Sequence, residues 1–418
     1  MNNILKKFII AYPMKIKSFL EEIDIDTKVR KVNISAAIIT KNEEHRIARC
    51  INSIIDYVDE VIVLDTGSSD RTIEIIESMQ FAKVKIFEME WNNNFSVARN
   101  YALAKTSCDW VFFIDADEYY IGKSNFNEIL TYFNKLKCIN ETVLSPKIID
   151  VNGHTSIGVG RLFKKNSDLS FFGAVHEEIR INNKGIYRIP FNISVDIPLM
   201  HDGYISEVMN EKSKIERNIS LIKQMMKEEP YNLRWVFFYL RDGERILSIN
   251  DIENIVKKAI LINSEIGFCE NNIVKDTYTY PILSIFISKM LCWENDSEKI
   301  NKLIDLLEKI NHVNSDSLFY RSILEVNNIK KKERSILNDL IQYRKNNFSS
   351  QYGAIHSEGK NIDLLIGYFL FELGYINSAK KYFDYVQDIG EDNILILECK
   401  SRIKNIIELY TDKKEYEK

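Results

Sequence analysis

Between residues 34 and 117 short apolar runs alternate with helical periods, and this rhythm limits the fold more than any other feature of the chain. ISAAIIT (34–40), EVIVLD (60–65), KVKIFEM (83–89) and WVFFIDAD (110–117) read as strands. Between them, EEHRIARCINSIIDY (43–57) puts Ile47, Cys50, Ile51, Ile54 and Ile55 on one helical face. SSDRTIEIIESM (68–79) reads as a helix with the capping residues Ser68, Ser69 and Asp70 in its first turn, and a third helix runs from Ser96 to Ala104. Apolar strands separated by helices predict a parallel α/β sheet, whose ligands bind beyond the carboxyl ends of the strands. The next stretches, ETVLSPKIID, GVGRLFKK, VHEEIRI and NISVDIPLM, hold strands without clear helices and predict a mixed or antiparallel addition.

After residue 207 the rhythm becomes helical. KSKIERNISLIKQMMKEEP (212–230) is long and amphipathic, with Pro230 as its stop. In LLIGYFLFELGYINSAKKYFDYV (364–386), Gly374 is followed by Ala379 and Phe383, the turn and packing positions of a tetratricopeptide-like unit. The expected organisation is a helical extension over 1–32, an α/β domain over 33–206, a helical repeat domain over 207–410 and a charged tail over 411–418.

Composition narrows the class. A chain of 418 residues with 45% hydrophobic and 28% charged residues is globular, and a net charge of −4 recommends no nucleic-acid partner. No run approaches the length of a transmembrane helix. The opening MNNILKKFIIAYPMKIKSFLEE lacks the cleavage site of a signal peptide, although an interfacial helix stays open. Cys50, Cys108, Cys138, Cys269, Cys292 and Cys399 are widely spread, which predicts reduced, mostly buried thiols and a cytoplasmic protein.

The residues with chemistry sit where strands end. Asp115 and Asp117 fall two apart, so a strand running through them would point both the same way. Two like charges so placed repel unless a cation compensates, and a divalent metal carrying diphosphate oxygens does so. Asp65 ends EVIVLD, and Thr40, Asn42 and Glu43 follow ISAAIIT, so three strands contribute to one polar rim. Such a rim is a nucleotide-site pattern, although no GxGxxG or GxxxxGK[ST] is present. Arg99, in WNNNFSVARN, can neutralise a phosphate or hold Asp115. In FFGAVHEEIR, Glu177 or Glu178 suits general-base work, with His176 beside them, and Asp202 stands in reserve. His201, in PLMHDGY, suits a third metal ligand with Asp115 and Asp117.

Together ISAAIITKNEEHRIARCINSI, EVIVLDTGSSDRTIEII, FSVARNYALAKTSCDWVFFIDADEYY, GRLFKK, VHEEI and HDGY resemble the family 2 glycosyltransferases of GT-A fold, over residues 33–205. The resemblance implies a nucleotide diphosphate sugar as donor, Mg²⁺ or Mn²⁺ at Asp115-Ala116-Asp117, Asp65 near the base, and inversion at the anomeric carbon. WNNNFSVARN, VHEEI, HDGY and the helical C-terminal region are most similar to the sublancin-type peptide S-glycosyltransferases of glycocin biosynthesis. Those enzymes move glucose or a related hexose from UDP-glucose to a cysteine thiol, sometimes a serine, and act as dimers. On that basis the expected partners are a small cysteine-containing precursor peptide and a second copy of the chain. Enzymes of cell-envelope glycan synthesis share several of the same motifs and form the alternative. An inactive peptide-binding scaffold is a third reading, against which stands the retention of so many carboxylates on one rim.

Overall fold

A computed structural model describes residues 3–23, 31–122, 126–165, 167–183, 186–202, 208–293, 296–312, 314–346, 358–386, 398 and 401–402. Its first feature is a sheet in which Val84–Glu88, Glu60–Asp65, Ile34–Thr40 and Trp110–Phe113 lie side by side and parallel. Burial explains the apolar runs. Every residue of Glu60–Asp65 is buried, and Trp110, Phe112 and Phe113 are wholly enclosed. Each fully buried Val, Leu, Ile or Phe among them contributes about 1.5–3 kcal/mol relative to exposure. The register sets Thr40 beside Asp65 and Asp65 beside Glu88, so the carboxyl ends form one edge.

The sheet continues through Leu162–Lys164, antiparallel to Trp110–Phe113, then Thr142–Asp150 and the long strand Phe191–His201. This is the mixed addition expected from the sequence. Glu118–Tyr120 pairs antiparallel with the end of Phe191–His201 and sets Glu118 opposite His201. A separate three-stranded sheet holds Leu169–Phe172, Glu178–Asn183 and Ile186–Arg188. The N-terminal stretch is more than a helical extension. Ile9–Ala11 is an edge strand on Phe191–His201, and Leu5, Ile16 and Leu20 enter the main core.

Several local expectations need correction. The strand WVFFIDAD stops at Phe113, and Asp115 and Asp117 occupy a turn closed by the Glu118 amide donating to the Asp115 carbonyl at 2.9 Å. The two aspartates are therefore not on one strand face. The helix expected over 43–57 spans only Ile47–Ile54. That expected over 68–79 spans Thr72–Ser78, and Ser68, Ser69 and Asp70 lie ahead of it in a loop. Among the described cysteines only Cys50 is buried, and Cys269 and Cys292 are exposed. Cys399, the tail over 411–418, and Gly203 and Tyr204 of HDGY lie outside the described residues.

A mixed α/β, Rossmann-like region is thus followed by a run of packed helices consistent with a repeat domain. Two compact units divide the chain, Met1–Ile246 and Leu247–Lys418. The helices Val208–Glu228 and Leu233–Asp242 belong to the first unit, although sequence rhythm groups them with the helices that follow. Within the second unit, Lys360–Glu372 and Ile376–Tyr385 form a hairpin. Gly374 turns between them at φ 85°, a conformation that suits glycine, and Ala379 and Phe383 are buried in the contact. No helix among the described residues is long and apolar enough to cross a membrane.

Candidate active site

A cavity of about 610 Å³ opens at the carboxyl edge of the parallel strands. Thr40, Glu43, Arg99, Asp115, Ala116, Asp117, His176, Glu177 and His201 all line it, so most of the residues picked from the sequence converge. Arg161 and residues of the two helices after residue 207, among them Arg217, Arg234 and Phe238, complete the lining.

The centre is a chain of charges. Arg99 sits on the helix Phe95–Lys105, whose first turn is capped by Asn94 accepting from the Val97 amide at 3.1 Å. The guanidinium is buried between the rings of Phe113 and Phe171. Its Nη2 donates to Asp115 Oδ1 at 2.9 Å and its Nε to Glu177 Oε1 at 2.5 Å. On the other side of Asp115, Arg161 donates from Nη1 to Oδ1 at 3.1 Å and from Nη2 to Oδ2 at 2.5 Å. Nη2 of Arg161 also reaches Glu118 Oε1 at 3.2 Å. The order is Glu118, Arg161, Asp115, Arg99, Glu177. Burial alone would raise the Asp115 carboxyl, but the two guanidinium charges overrule it and hold it well below the usual carboxylate range. Glu118, enclosed and near the charge of Asp115, is pushed up to about 7, chiefly by burial, against the pull of Arg161.

Asp117 takes a different direction. Its Oδ2 lies 3.2 Å from His201 Nε2. That hydrogen bond, above the opposing effect of burial, raises the His201 imidazole. Asp202 instead pairs with Arg49 at 2.5 Å and Arg46 at 3.6 Å.

The two glutamates separate. Glu177 faces the cavity. Glu178 belongs to the adjoining strand, where Oε1 pairs with Arg180 at 2.8 Å and Oε2 with Arg234 at 3.1 Å. Asp65 and Asn42 are likewise drawn into structure rather than into the lining. Asp65 Oδ2 accepts from the amides of Gly67 and Ser68 at 3.0 and 2.9 Å. Asn42 has a left-handed backbone, φ 57°, and its Oδ1 accepts from the Ser69 amide at 2.7 Å. Together they shape the loop after the second parallel strand. Glu43 keeps its place on the rim with Arg46 at 3.1 Å.

The sequence does not single out Arg161 or Glu118: they lie within GRLFKK and IDADEYY, but nothing local shows that Arg161 faces Asp115. That pairing depends on the Phe113 amide donating to the Arg161 carbonyl at 2.8 Å, across a separation no sequence pattern encodes. His176 is at φ 48° and its Nε2 lies 2.6 Å from Asp242 Oδ2, a partner far along the chain.

The chain is similar to several known proteins. A model of the glycosyl transferase family 2 matches residues 35–188. The SPbeta prophage-derived glycosyltransferase SunS of Bacillus subtilis (strain 168) is 32% identical over 308 residues, 73% of this chain and 69% of that protein. A TPR repeat-containing protein of Synechococcus elongatus is 28% identical over 207 residues, 47% of this chain and 49% of that one. Among solved structures, S. aureus TarS 1-349 in complex with UDP-GlcNAc aligns at 16% identity, covering 71% of this chain and 91% of that one with a TM-score of 0.36. With a relative this similar over most of both chains, and the family's own pattern spanning the four parallel strands at whose carboxyl edge the cavity opens, the chain belongs to glycosyltransferase family 2.

Proposed function

We propose that this protein transfers a hexose from a UDP-hexose to a cysteine thiol of a small precursor peptide, with inversion at the anomeric carbon. The observation that carries the reading is the Asp117–His201 pair, 3.2 Å apart, in the same cavity as Glu177 and the arginine-held Asp115. The similarity to SunS and the motifs shared with the sublancin-type enzymes support the thiol acceptor.

The residues fit a divalent ion of limited protein ligation. Among the described residues no group of three His, Cys, Asp or Glu side chains is placed to hold a metal. Asp117 and His201 offer one oxygen and one nitrogen, and Mg²⁺ or Mn²⁺ in phosphate-transfer sites commonly takes one or two protein ligands and completes its shell from substrate oxygens. When bound, such an ion neutralises charge on the departing diphosphate. Asp115 was expected to share that duty, but both its oxygens are engaged by arginines. Its role in this reading is to fix the turn that carries Asp117.

The acceptor side belongs to Glu177. Arg99 occupies its Oε1, and Oε2 has no partner among the described residues, so it is available to take the acceptor proton. A thiol with a pKa near 8.5 needs modest help, a serine hydroxyl much more, so cysteine is the faster acceptor. The helical unit Leu247–Lys418 offers an extended surface for the peptide, and the protein acts as a cytoplasmic homodimer in this reading.

Mass spectrometry with a cysteine-containing peptide and a panel of UDP-sugars tests the proposal. The expected product gains one hexose, loses that gain on Cys→Ala, keeps it weakly on Cys→Ser, and resists thiol reductant. Transfer to a lipid or saccharide acceptor, with none to any peptide, would move the protein to the envelope-glycan class.

A further inference from the structure

The hairpin that carries Glu177 is held in a backbone shape it would not keep unaided. Gly173 and His176 both lie in the left-handed region, at φ 109° and 48°. Glycine adopts it freely, whereas a histidine stays there only where its surroundings enforce it. Those surroundings are the helix Leu233–Asp242. The His176 ring stacks on Phe238 with centroids 4.1 Å apart and planes 15° apart. Its Nε2 meets Asp242 Oδ2 at 2.6 Å, and its carbonyl accepts from Arg234 Nη2 at 2.7 Å. Asp242 is largely enclosed and is itself steadied by Arg241, whose Nε donates to Oδ1 at 2.9 Å. From the other side, the Phe95 amide donates to the Ala174 carbonyl at 2.9 Å, which ties the hairpin to the helix bearing Arg99. Glu177 follows His176 directly, so any relaxation of the left-handed residue swings the carboxylate away from Arg99 and the cavity.

We propose that Asp242 is a positioning residue for transfer: through Nε2 of His176 it locks the left-handed turn that presents Glu177 to the acceptor. The inference rests on Glu177 being the proton acceptor of the reaction proposed above. It assigns His176 a structural duty in place of direct catalysis, and it gives the helix after residue 232 a part in the chemistry.

Steady-state kinetics on the full chain, followed as UDP release with UDP-hexose and a cysteine peptide, provide the test. Asp242→Ala should lower kcat by about 10- to 100-fold, the scale of a misplacement near 1 Å, with the KM for UDP-hexose nearly unchanged. Asp242→Asn keeps an oxygen that accepts from Nε2 and should restore most of the loss. In a Glu177→Gln background Asp242→Ala should have no further effect on kcat, because the group it aims is already disabled. His176→Asn tolerates the left-handed backbone but cannot reach Asp242, and should show the same loss if Asp242→Ala fails to fold. Unchanged kcat in the folded single variants, or losses that multiply in the Glu177→Gln background, would overturn the positioning role while wild-type turnover left the functional reading intact. A wild-type protein that released no UDP with any peptide would remove both.

Discussion

Arg161→Met is the sharpest probe of the charge chain, because it removes one cation from between two carboxylates. Methionine fills much of the same volume without charge. Breaking a buried ion pair from one side costs about 3–5 kcal/mol, since the abandoned charge stays in a poor solvent. The geometry assigns most of that cost to Glu118. Its side chain is 3% exposed and Arg161 is the only cation paired with it among the described residues. Asp115 is 33% exposed and keeps Arg99 at 2.9 Å, so it suffers less. The expected loss is therefore near the lower bound, about 3 kcal/mol. Glu118→Gln in the Arg161→Met background should recover roughly 2 kcal/mol, because it removes the carboxyl that must otherwise take up a proton to stay buried without its cation. Urea unfolding in chelator, followed by tryptophan fluorescence, measures both. Trp91, Trp110 and Trp235 lie in the first unit, while Trp293 lies in the second and is 75% exposed, so a Trp293→Phe background confines the signal. A loss under about 1 kcal/mol, or no recovery in the double variant, would show that Glu118 and Arg161 are not coupled as the geometry requires.

Four other outcomes follow from the same structure. Glu60 accepts from Ser35 at 2.7 Å, Lys85 at 2.7 Å and Ser107 at 2.9 Å, and these bonds outweigh burial and lower its carboxyl to about 2. Because that folded value lies below the unfolded one, the stabilisation is present above about pH 4.5 and is lost as pH falls through about 2, so a Glu60→Gln deficit of roughly 3 kcal/mol at pH 7 should shrink steadily in urea titrations towards pH 2. Metal-stripped protein should release no UDP until Mn²⁺ or Mg²⁺ is added, and Asp117→Ala should fall further than Asp115→Glu; full turnover in excess chelator, with metal content measured at zero, would dismiss the ion. Truncation after residue 206 deletes the buried Trp235 and the cavity residues Arg234 and Phe238, whereas truncation after Ile246 retains them, so only the longer fragment should bind a UDP-sugar in calorimetry. Gly173→Ala forces a side chain into φ 109° and sets its Cβ 2.8 Å from the Trp235 ring, which should cost about 2–4 kcal/mol in unfolding experiments and disturb Glu177.

What sequence alone determined is the part governed by short-range rules. ISAAIIT and EVIVLD became strands at their expected bounds, because a run of apolar, largely branched residues has few other ways to be buried. Their carboxyl ends share one edge, because parallel strands all end on the same side, although Asp65 and Asn42 turn into the following loop. Gly374, Ala379 and Phe383 marked a helical hairpin for similar local reasons. The family pattern needed only ordered motifs, and those are linear by nature.

Only the tertiary structure decided how the charges were shared. Asp115 and Asp117 look equivalent in DAD, yet a turn directs one to Arg99 and Arg161 and the other to His201. Glu177 and Glu178 are adjacent, yet one meets the cavity and the other Arg180 and Arg234. The helices Val208–Glu228 and Leu233–Asp242 carry the amphipathic rhythm of those that follow, but pack with the α/β unit and supply Asp242 to His176. A carboxylate's role depends on which cation reaches it within about 3 Å, and that distance is fixed by chain crossings tens of residues apart, which composition and period do not record.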